Sequence, residues 1–333
     1  MKKALILINV GTPEQADKKG VKKFLKPFLN DARVIDLPCL TRKILVNLII
    51  IPFRINKSTG LYKRLWTDEG SPILLHLEKL ATKIRHKLNE DTVVFTAMRY
   101  GKPSLKNVLK TISEDNYSEI AVFPLFPQYA SSTTGSIFER IFSILKKQEV
   151  IPPIRLIDQY YNHPIFIDTY VKHIQKYKPN EYDHIVFSYH GLPLRQINKI
   201  HPNIKANECS CEKEFPSHGH HCYKAVCYEN SRLLAEKLQL SKDDYSVGFQ
   251  SRLSKNWLNP FTDELLSDLL KKGNRKILTA APSFAADCLE TTVEIDYEYK
   301  TEFEEKGGEK LTLVKALNSS DEWAEAISKI VFD

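Results

Sequence analysis

Ala4-Leu-Ile-Leu-Ile-Asn-Val-Gly-Thr-Pro13 and His184-Ile-Val-Phe-Ser-Tyr-His-Gly-Leu-Pro193 share one pattern: a near-continuous apolar run, then X-Gly-X-Pro. Short apolar runs that stop at turn residues read as strands buried on both faces, the kind found in parallel sheets. Val10 falls where His190 falls. The likeness extends outward. Ile120-Ala-Val-Phe-Pro-Leu-Phe-Pro127 matches Ile277-Leu-Thr-Ala-Ala-Pro-Ser-Phe284, each a strand broken by proline before a helix, and the 93–99 run matches 245–252. Strands are expected at 4–10, 93–99, 119–126, 154–156, 184–189, 245–249, 276–281 and 310–314. Helices are expected at 73–88, 105–112, 136–147, 165–176, 228–238, 262–272 and 321–331. Strands alternating with helices give α/β domains with parallel sheets. The repeat predicts two similar doubly wound domains facing an interdomain cleft. The first spans 1–155, with a helix at 320–333 packing back on it; the second spans 156–319 and carries a cysteine-rich insertion at 205–227. In such folds ligands bind beyond the carboxyl ends of strands. Arg99, Tyr129, His190, Ser251 and Glu290 all follow expected strands.

The 333 residues suffice for two such domains, and 42% hydrophobic with 27% charged residues is an ordinary globular balance. The net charge of +7 comes from scattered lysines without interleaved aromatics, which argues against a nucleic-acid partner. Met1-Lys2-Lys3 before an apolar run mimics a signal peptide. The run is too short and ends in a Gly-Thr-Pro turn, so a first buried strand and a cytoplasmic protein are expected. The apolar stretch at 45–53 (LVNLIIIPF) is too short to span a bilayer. It reads as a core helix end, or as a greasy lip that meets the inner face of a membrane or an apolar ligand.

Asp287-Cys-Leu-Glu-Thr-Thr-Val-Glu-Ile-Asp-Tyr-Glu298 carries the chemistry. Glu290, Glu294 and Glu298 stand at i, i+4 and i+8. On an α-helix each step of four overshoots a full turn by about 40° and climbs about 6 Å. That makes a slanted ladder of carboxylates on one face. Like charges at this spacing destabilise a helix, and the next cation in sequence is Lys300. An isolated pair of glutamates would simply face solvent. Flanked by Phe284, Leu289, Val293, Ile295 and Tyr297, part of this ladder should be buried and need a cation. Hard oxygen donors in a row suit a divalent metal moving along them. His190, at a strand end, can ligate a metal or accept a proton near neutral pH. With Glu290 it offers too few ligands for a permanent structural site, as a metal in transit requires. Gly135 after Tyr129-Ala-Ser-Ser-Thr-Thr134 suggests a polar helix N-terminus at Ser136, either an anion site or ordinary capping. No GxGxxG or Walker motif occurs, so no nucleotide is expected.

Cys209, Cys211, Cys222 and Cys227 fall within nineteen residues as C-x-C-x10-C-x4-C. In an intracellular protein that spacing favours a metal site over disulfides or free thiols. Four thiolates fit tetrahedral Zn2+ or a [2Fe–2S] cluster, and His218, His220 and His221 are competing ligands.

Several stretches together carry a specific resemblance: Leu7-Ile-Asn-Val-Gly11, Phe24-Leu-Lys-Pro-Phe-Leu29, Met98-Arg-Tyr100, Pro127-Gln-Tyr-Ala-Ser-Ser-Thr-Thr-Gly135, Phe187-Ser-Tyr-His-Gly-Leu-Pro193, Phe249-Gln-Ser-Arg252, Trp257-Leu-Asn-Pro260 and Phe284-Ala-Ala-Asp-Cys-Leu-Glu-Thr291. In this order, over nearly the whole chain, they resemble the ferrochelatases, which insert Fe2+ into protoporphyrin IX at the end of haem synthesis and release two protons. The resemblance implies Rossmann-like domains and a catalytic, metal-handling pair of His190 and Glu290, with Glu294 and Glu298 continuing the metal path. It places Asn9, Val10, Arg99, Tyr100, Tyr129, Ser131, Ser251 and Trp257 against the porphyrin and 45–53 at the active-site lip. Fe2+ and protoporphyrin IX are then substrates. Members acting on coproporphyrin typically carry tyrosine at the place of Val10, so valine favours protoporphyrin. Some bacterial members hold a [2Fe–2S] cluster on an internal cysteine insertion, which makes the cluster the favoured occupant here and Zn2+ the alternative. A porphyrin carrier would not need the ladder, and a metal store would not need the Arg99, Tyr129 and Trp257 pocket.

Overall fold

A computed structural model describes residues 2–115, 117–200 and 203–332; Met1 and Asp333, the ends of the expected first domain, lie outside them. The chain divides into two compact units, Met1–Gln159 with Asn318–Asp333, and Tyr160–Leu317.

In the first unit β1 (Lys3–Gly11), β2 (Thr92–Tyr100), β3 (Glu119–Pro124) and β4 (Ile154–Leu156) form a parallel sheet in the order β2-β1-β3-β4. Side chains alternate across a strand. Ala4, Ile6 and Ile8 therefore share one face, packed with Leu105, Leu109 and Ile112 of the Leu105–Glu114 helix and Ile137, Ile141 and Leu145 of the Ser136–Leu145 helix. The other face is covered by the Pro72–Arg85 and Asp321–Ile330 helices, where Trp323 meets Phe123 edge-on and Lys83 pairs with Asp321.

The second unit repeats the wiring. β5 (His184–His190), β6 (Tyr245–Gln250), β7 (Lys276–Ala280) and β8 (Lys310–Val314) are parallel in the order β6-β5-β7-β8. Val186, Ile277, Leu311 and Leu313 pack against Leu266 and Leu269 of the Thr262–Lys271 helix and against Phe303. Burial on both faces explains why the inner strands β1, β3, β5 and β7 read as apolar runs.

Three local expectations need correction. The carboxylate segment is a π-helix, Leu289–Tyr299, running into an α-helix at Lys300–Glu305. Its i→i+5 turns are wider than α turns, so a step of four falls short of a full circle and the ladder slants the opposite way. Second, the α-helix found at Ser136 has no free N-terminus there. A π turn at Ser131–Gly135 feeds straight into the Ser136–Leu145 helix, and Gly135 is already helical at φ −61°. An anion site built on free N–H groups at Ser136 is therefore absent. Third, the apolar stretch at 45–53 is no short patch. It lies inside a continuous helix, Cys39–Leu65, of 27 residues, which by length and composition alone could cross a membrane.

Candidate functional site

The chemistry-bearing residues of the second unit gather at the carboxyl ends of β5 and β6. His190 is the last residue of β5 and pairs in register with Gln250, the last of β6. Its Nδ1 lies 2.6 Å from the Gly191 carbonyl oxygen. A carbonyl can only accept, so Nδ1 carries the proton and Nε2 is the ring nitrogen left for other partners. The imidazole is flanked by Trp257 and Phe284, with ring centroids 6.4 and 6.3 Å away. Main-chain contacts hold it from behind. The His190 N–H donates to Ser283 Oγ and its carbonyl accepts from the Tyr223 hydroxyl at 2.9 Å. Gly191 is required by close approach, since a Cβ there would sit 2.8 Å from the Gln250 carbonyl oxygen.

Gln250 joins this strand end to the π-helix. Its amide donates to the Glu290 carbonyl at 2.8 Å and to Glu294 Oε2 at 3.3 Å, while its Oε1 accepts from Ser188. Glu294 has every acceptor position in use. Oε1 takes Ser251 N–H at 2.8 Å and Tyr299 O–H at 2.6 Å; Oε2 takes Ser251 O–H and the Gln250 amide. Ser251 reaches both oxygens because its backbone is left-handed, at φ 62°, a strain typical of functional sites. Burial drives the Tyr299 phenol well above its ordinary value, and the Glu294 charge adds to this, so it stays a donor. Glu290 and Glu294 are half-buried and Glu298 is exposed. Glu294 is thus fixed by donors.

In the first unit the porphyrin candidates centre on a carboxylate that sequence patterns did not single out. Asp31 Oδ2 accepts from Arg99 Nη2, the Tyr100 hydroxyl and Ser136 Oγ, each at 2.6 Å, and Oδ1 accepts from Arg33 N–H. Burial works against its charge. The hydrogen bonds from Ser136, Tyr100 and Arg33 and the Arg99 charge outweigh it and lower its pKa. Arg99 is spoken for on two sides, since Nε also donates to the Ser136 carbonyl and hydroxyl. Ser131 accepts from Arg33, whose guanidinium also pairs with Glu139. Gly135 lies close under the Tyr129 hydroxyl, 2.9 Å from where a Cβ would stand. Asn9 is buried and accepts from the Val10 N–H; Val10 is half-buried.

Cys209, Cys211, Cys222 and Cys227 are all buried and all free thiols. Cys209 Sγ lies 3.3 Å from His218 Nε2, and Cys222 caps the Tyr223–Lys237 helix, accepting from Ala225 N–H. That cap starts the helix at 223, five residues before the 228 expected from periodicity. Burial pushes the Cys211 thiol up to about 12 and the Cys222 thiol to about 11, with neighbouring cysteines adding to both, and Cys227 is raised well beyond its usual value. Lys224 is 4% exposed beside them, paired with Glu212 at 2.7 Å and donating to the Ala206 carbonyl. A buried, mutually repelling thiol set of this kind fits a group that supplies positive charge.

Asp31, Gln250, Ser283, Tyr299 and Tyr223 are the site residues that sequence reasoning missed. Gln250 lay in a matching stretch, Phe249-Gln-Ser-Arg252, and its place one residue before Ser251 was the available signal. Asp31 gave none, because three of its four partners are 68 to 105 residues away.

Parallel four-stranded sheets with a metal-capable histidine at a strand end define a chelatase-like α/β protein. A bacterial relative of that fold is SirB from Bacillus subtilis with Fe3+, at TM-score 0.52 and 12% identity over 99% of this chain and 95% of that one. A second is the sirohydrochlorin chelatase SirB from Bacillus subtilis subspecies spizizenii in complex with cobalt, at TM-score 0.53 and 10% identity over 100% and 94%. These likenesses show the fold. The family model described as Ferrochelatase matches residues 2–333. A ferrochelatase of Legionella pneumophila (strain Lens) is 41% identical over 332 residues, 99% of each chain. One of Coxiella burnetii (strain CbuK_Q154) is 39% identical over 335 residues, 98% of this chain and 92% of its own. The chain belongs to the ferrochelatase family, and it is a lyase with ferrochelatase activity in haem biosynthesis.

Proposed function

We propose that the chain inserts Fe2+ into protoporphyrin IX, with His190 and Glu290 handling the metal and the two pyrrole protons. The observation that carries this is the contact of His190 Nδ1 with the Gly191 carbonyl. Nδ1 is committed to the Gly191 carbonyl, leaving Nε2 as a base or ligand between two aromatic rings. Metallation needs a proton acceptor and a route for the incoming cation. His190 takes one pyrrole proton at Nε2 and the Glu290 carboxylate takes the other. Glu290 and Glu298 offer carboxylate oxygens, and Glu294 joins them by exchanging a donor, the 3.3 Å Gln250 bond being the longest. Trp257 and Ser251 in the second unit, with Asn9, Val10, Arg99, Tyr100, Tyr129 and Ser131 in the first, are assigned to porphyrin contact. Binding energy from such contacts is best used to bend the ring toward the metallation geometry. Val10, which cannot ligate iron, favours protoporphyrin over coproporphyrin. His190→Ala is expected to abolish turnover while leaving circular dichroism unchanged. Near-normal activity in that variant would remove His190 from the mechanism.

Cys209, Cys211, Cys222 and Cys227 would hold a [2Fe–2S] cluster. Among the described residues no three of their sulfurs lie within 4.8 Å of one another. Ligands shared between two irons suit that spread better than one tetrahedral Zn2+, with Zn–S bonds of about 2.3 Å. Porphyrin metallation transfers no electrons, so the cluster, when bound, supplies a redox-sensitive cross-link. A visible spectrum of anaerobically purified protein decides: sulfur-to-iron charge-transfer bands support the cluster, and a colourless zinc-containing protein makes the segment a structural clip.

The exposed face of the Cys39–Leu65 helix is proposed to rest on a membrane surface, at the cytoplasmic side. Leu48 and Phe53 are 68% and 82% exposed, with Lys43, Arg54 and Lys57 beside them. The inner face is committed to the protein through Val46, Ile51, Tyr62 and Leu65, which fits a helix lying in the interface rather than crossing it.

A further inference from the structure

We propose that Tyr223 is a positioning residue that couples the cysteine segment to His190. The inference rests on the two readings above, His190 as the metal-handling residue and the four cysteines as a cluster site. Tyr223 is the first residue of the Tyr223–Lys237 helix, directly after Cys222. Cys227 follows one turn later, on the same face of that helix. The Tyr223 side chain is buried, and its hydroxyl donates to the His190 main-chain carbonyl at 2.9 Å. Ser283 accepts from the His190 N–H. One phenol therefore directly follows a cluster ligand in the chain, shares a helix with a second, and holds the carbonyl of the catalytic histidine.

A second tie makes the coupling stiff. Tyr189, one residue before His190, sends its hydroxyl to Asn230 at 3.0 Å and Ser231 at 2.8 Å on the same helix. The strand end that presents His190 and the helix that presents Cys222 and Cys227 thus move as one body. The imidazole is oriented by the next carbonyl, that of Gly191. A turn of the 190–191 peptide would carry Nε2 with it. Loading the cysteines fixes Cys222 and Cys227, hence Tyr223, hence this peptide. Losing the load frees the phenol, and a misplacement of about 1 Å costs up to about 100-fold in rate.

The test uses the full chain purified without air and compares wild type with Tyr223→Phe, which removes one oxygen. The variant should keep the visible bands of the cluster and a porphyrin KM within about twofold of wild type, while kcat falls roughly tenfold. Stripping the cluster from wild type with a chelator should lower kcat by a similar factor at unchanged KM, and reconstitution should restore it. In Tyr223→Phe, stripping should cost less than about a further twofold, because the link is already cut. Full kcat in Tyr223→Phe, or equal losses on stripping in both proteins, overturns the proposal. If the variant does not fold, the wild-type strip-and-restore arm decides alone, and an unchanged kcat overturns the coupling. A colourless wild-type protein refutes the cluster reading and the coupling with it. Undiminished turnover in His190→Ala refutes the site reading separately.

Discussion

Four donors around one carboxylate set the behaviour of Asp31. Its folded pKa lies below the ordinary 3.8. The sign follows: its contribution to stability is full above 3.8 and disappears as pH falls through the lowered folded value. Asp31→Asn keeps the shape but gives up the charge. The variant should be less stable at pH 7 by about 2 kcal/mol, the scale of hydrogen bonds to charged groups. The gap to wild type should narrow in acid, below the folded value, which urea melts at neutral and strongly acidic pH would show. Glu294 makes a different prediction, because its donors anchor a group assigned to metal delivery. Glu294→Gln cannot accept four hydrogen bonds. It should raise the KM for metal about tenfold while leaving porphyrin KM nearly unchanged. An unaltered metal dependence would take Glu294 off the path.

At the scale of the element, the Cys39–Leu65 helix was only partly legible. Its apolar centre was visible in sequence, but its extent was not, because polar and basic residues flank 45–53 on both sides. A further helix, Lys18–Leu29, was hidden by Gly20 and by Pro27 inside it, both poor helix residues. The eight strands were easier, since each is a short apolar run bounded by turns. The π character of Leu289–Tyr299 could not be read from spacing: carboxylates at steps of four share a face on either kind of helix. For the long helix, the double variant Leu48→Asp, Phe53→Asp should weaken binding to anionic vesicles at least tenfold. Each large apolar side chain contributes about 1.5–3 kcal/mol when fully buried, and part of that suffices. Flotation with and without anionic lipid would measure it.

Over the whole molecule, one wiring is used twice with unequal content. Strand orders β2-β1-β3-β4 and β6-β5-β7-β8 are equivalent, yet the first places Val10 near the end of β1 where the second places His190 at the end of β5. The repeated X-Gly-X-Pro pattern made this legible before any coordinates, as it did the candidates at strand ends. What stayed hidden was the support: Asp31, Gln250 and Tyr223 act through contacts distant in sequence, and Tyr299, though five residues from Glu294, is marked by no local pattern. The cysteine segment belongs wholly to the second unit. Cys222→Ser should therefore abolish any charge-transfer bands and lower Tm by several degrees, since it removes a ligand even though serine keeps the helix cap. A calorimetric scan beside the visible spectrum would register both losses.

The π-helix has a consequence for how this chain can change over evolutionary time. Each of its turns holds more residues than an α turn. Deleting one residue between Glu290 and Glu298 would let the segment relax toward an α-helix, with each residue then set about 100° around the axis from the last. Every carboxylate beyond the deletion would be re-aimed, even with all three glutamates still in place. Substitutions along this segment are judged one side chain at a time, but a change of length is judged all at once, so indels here should be far less tolerated than replacements.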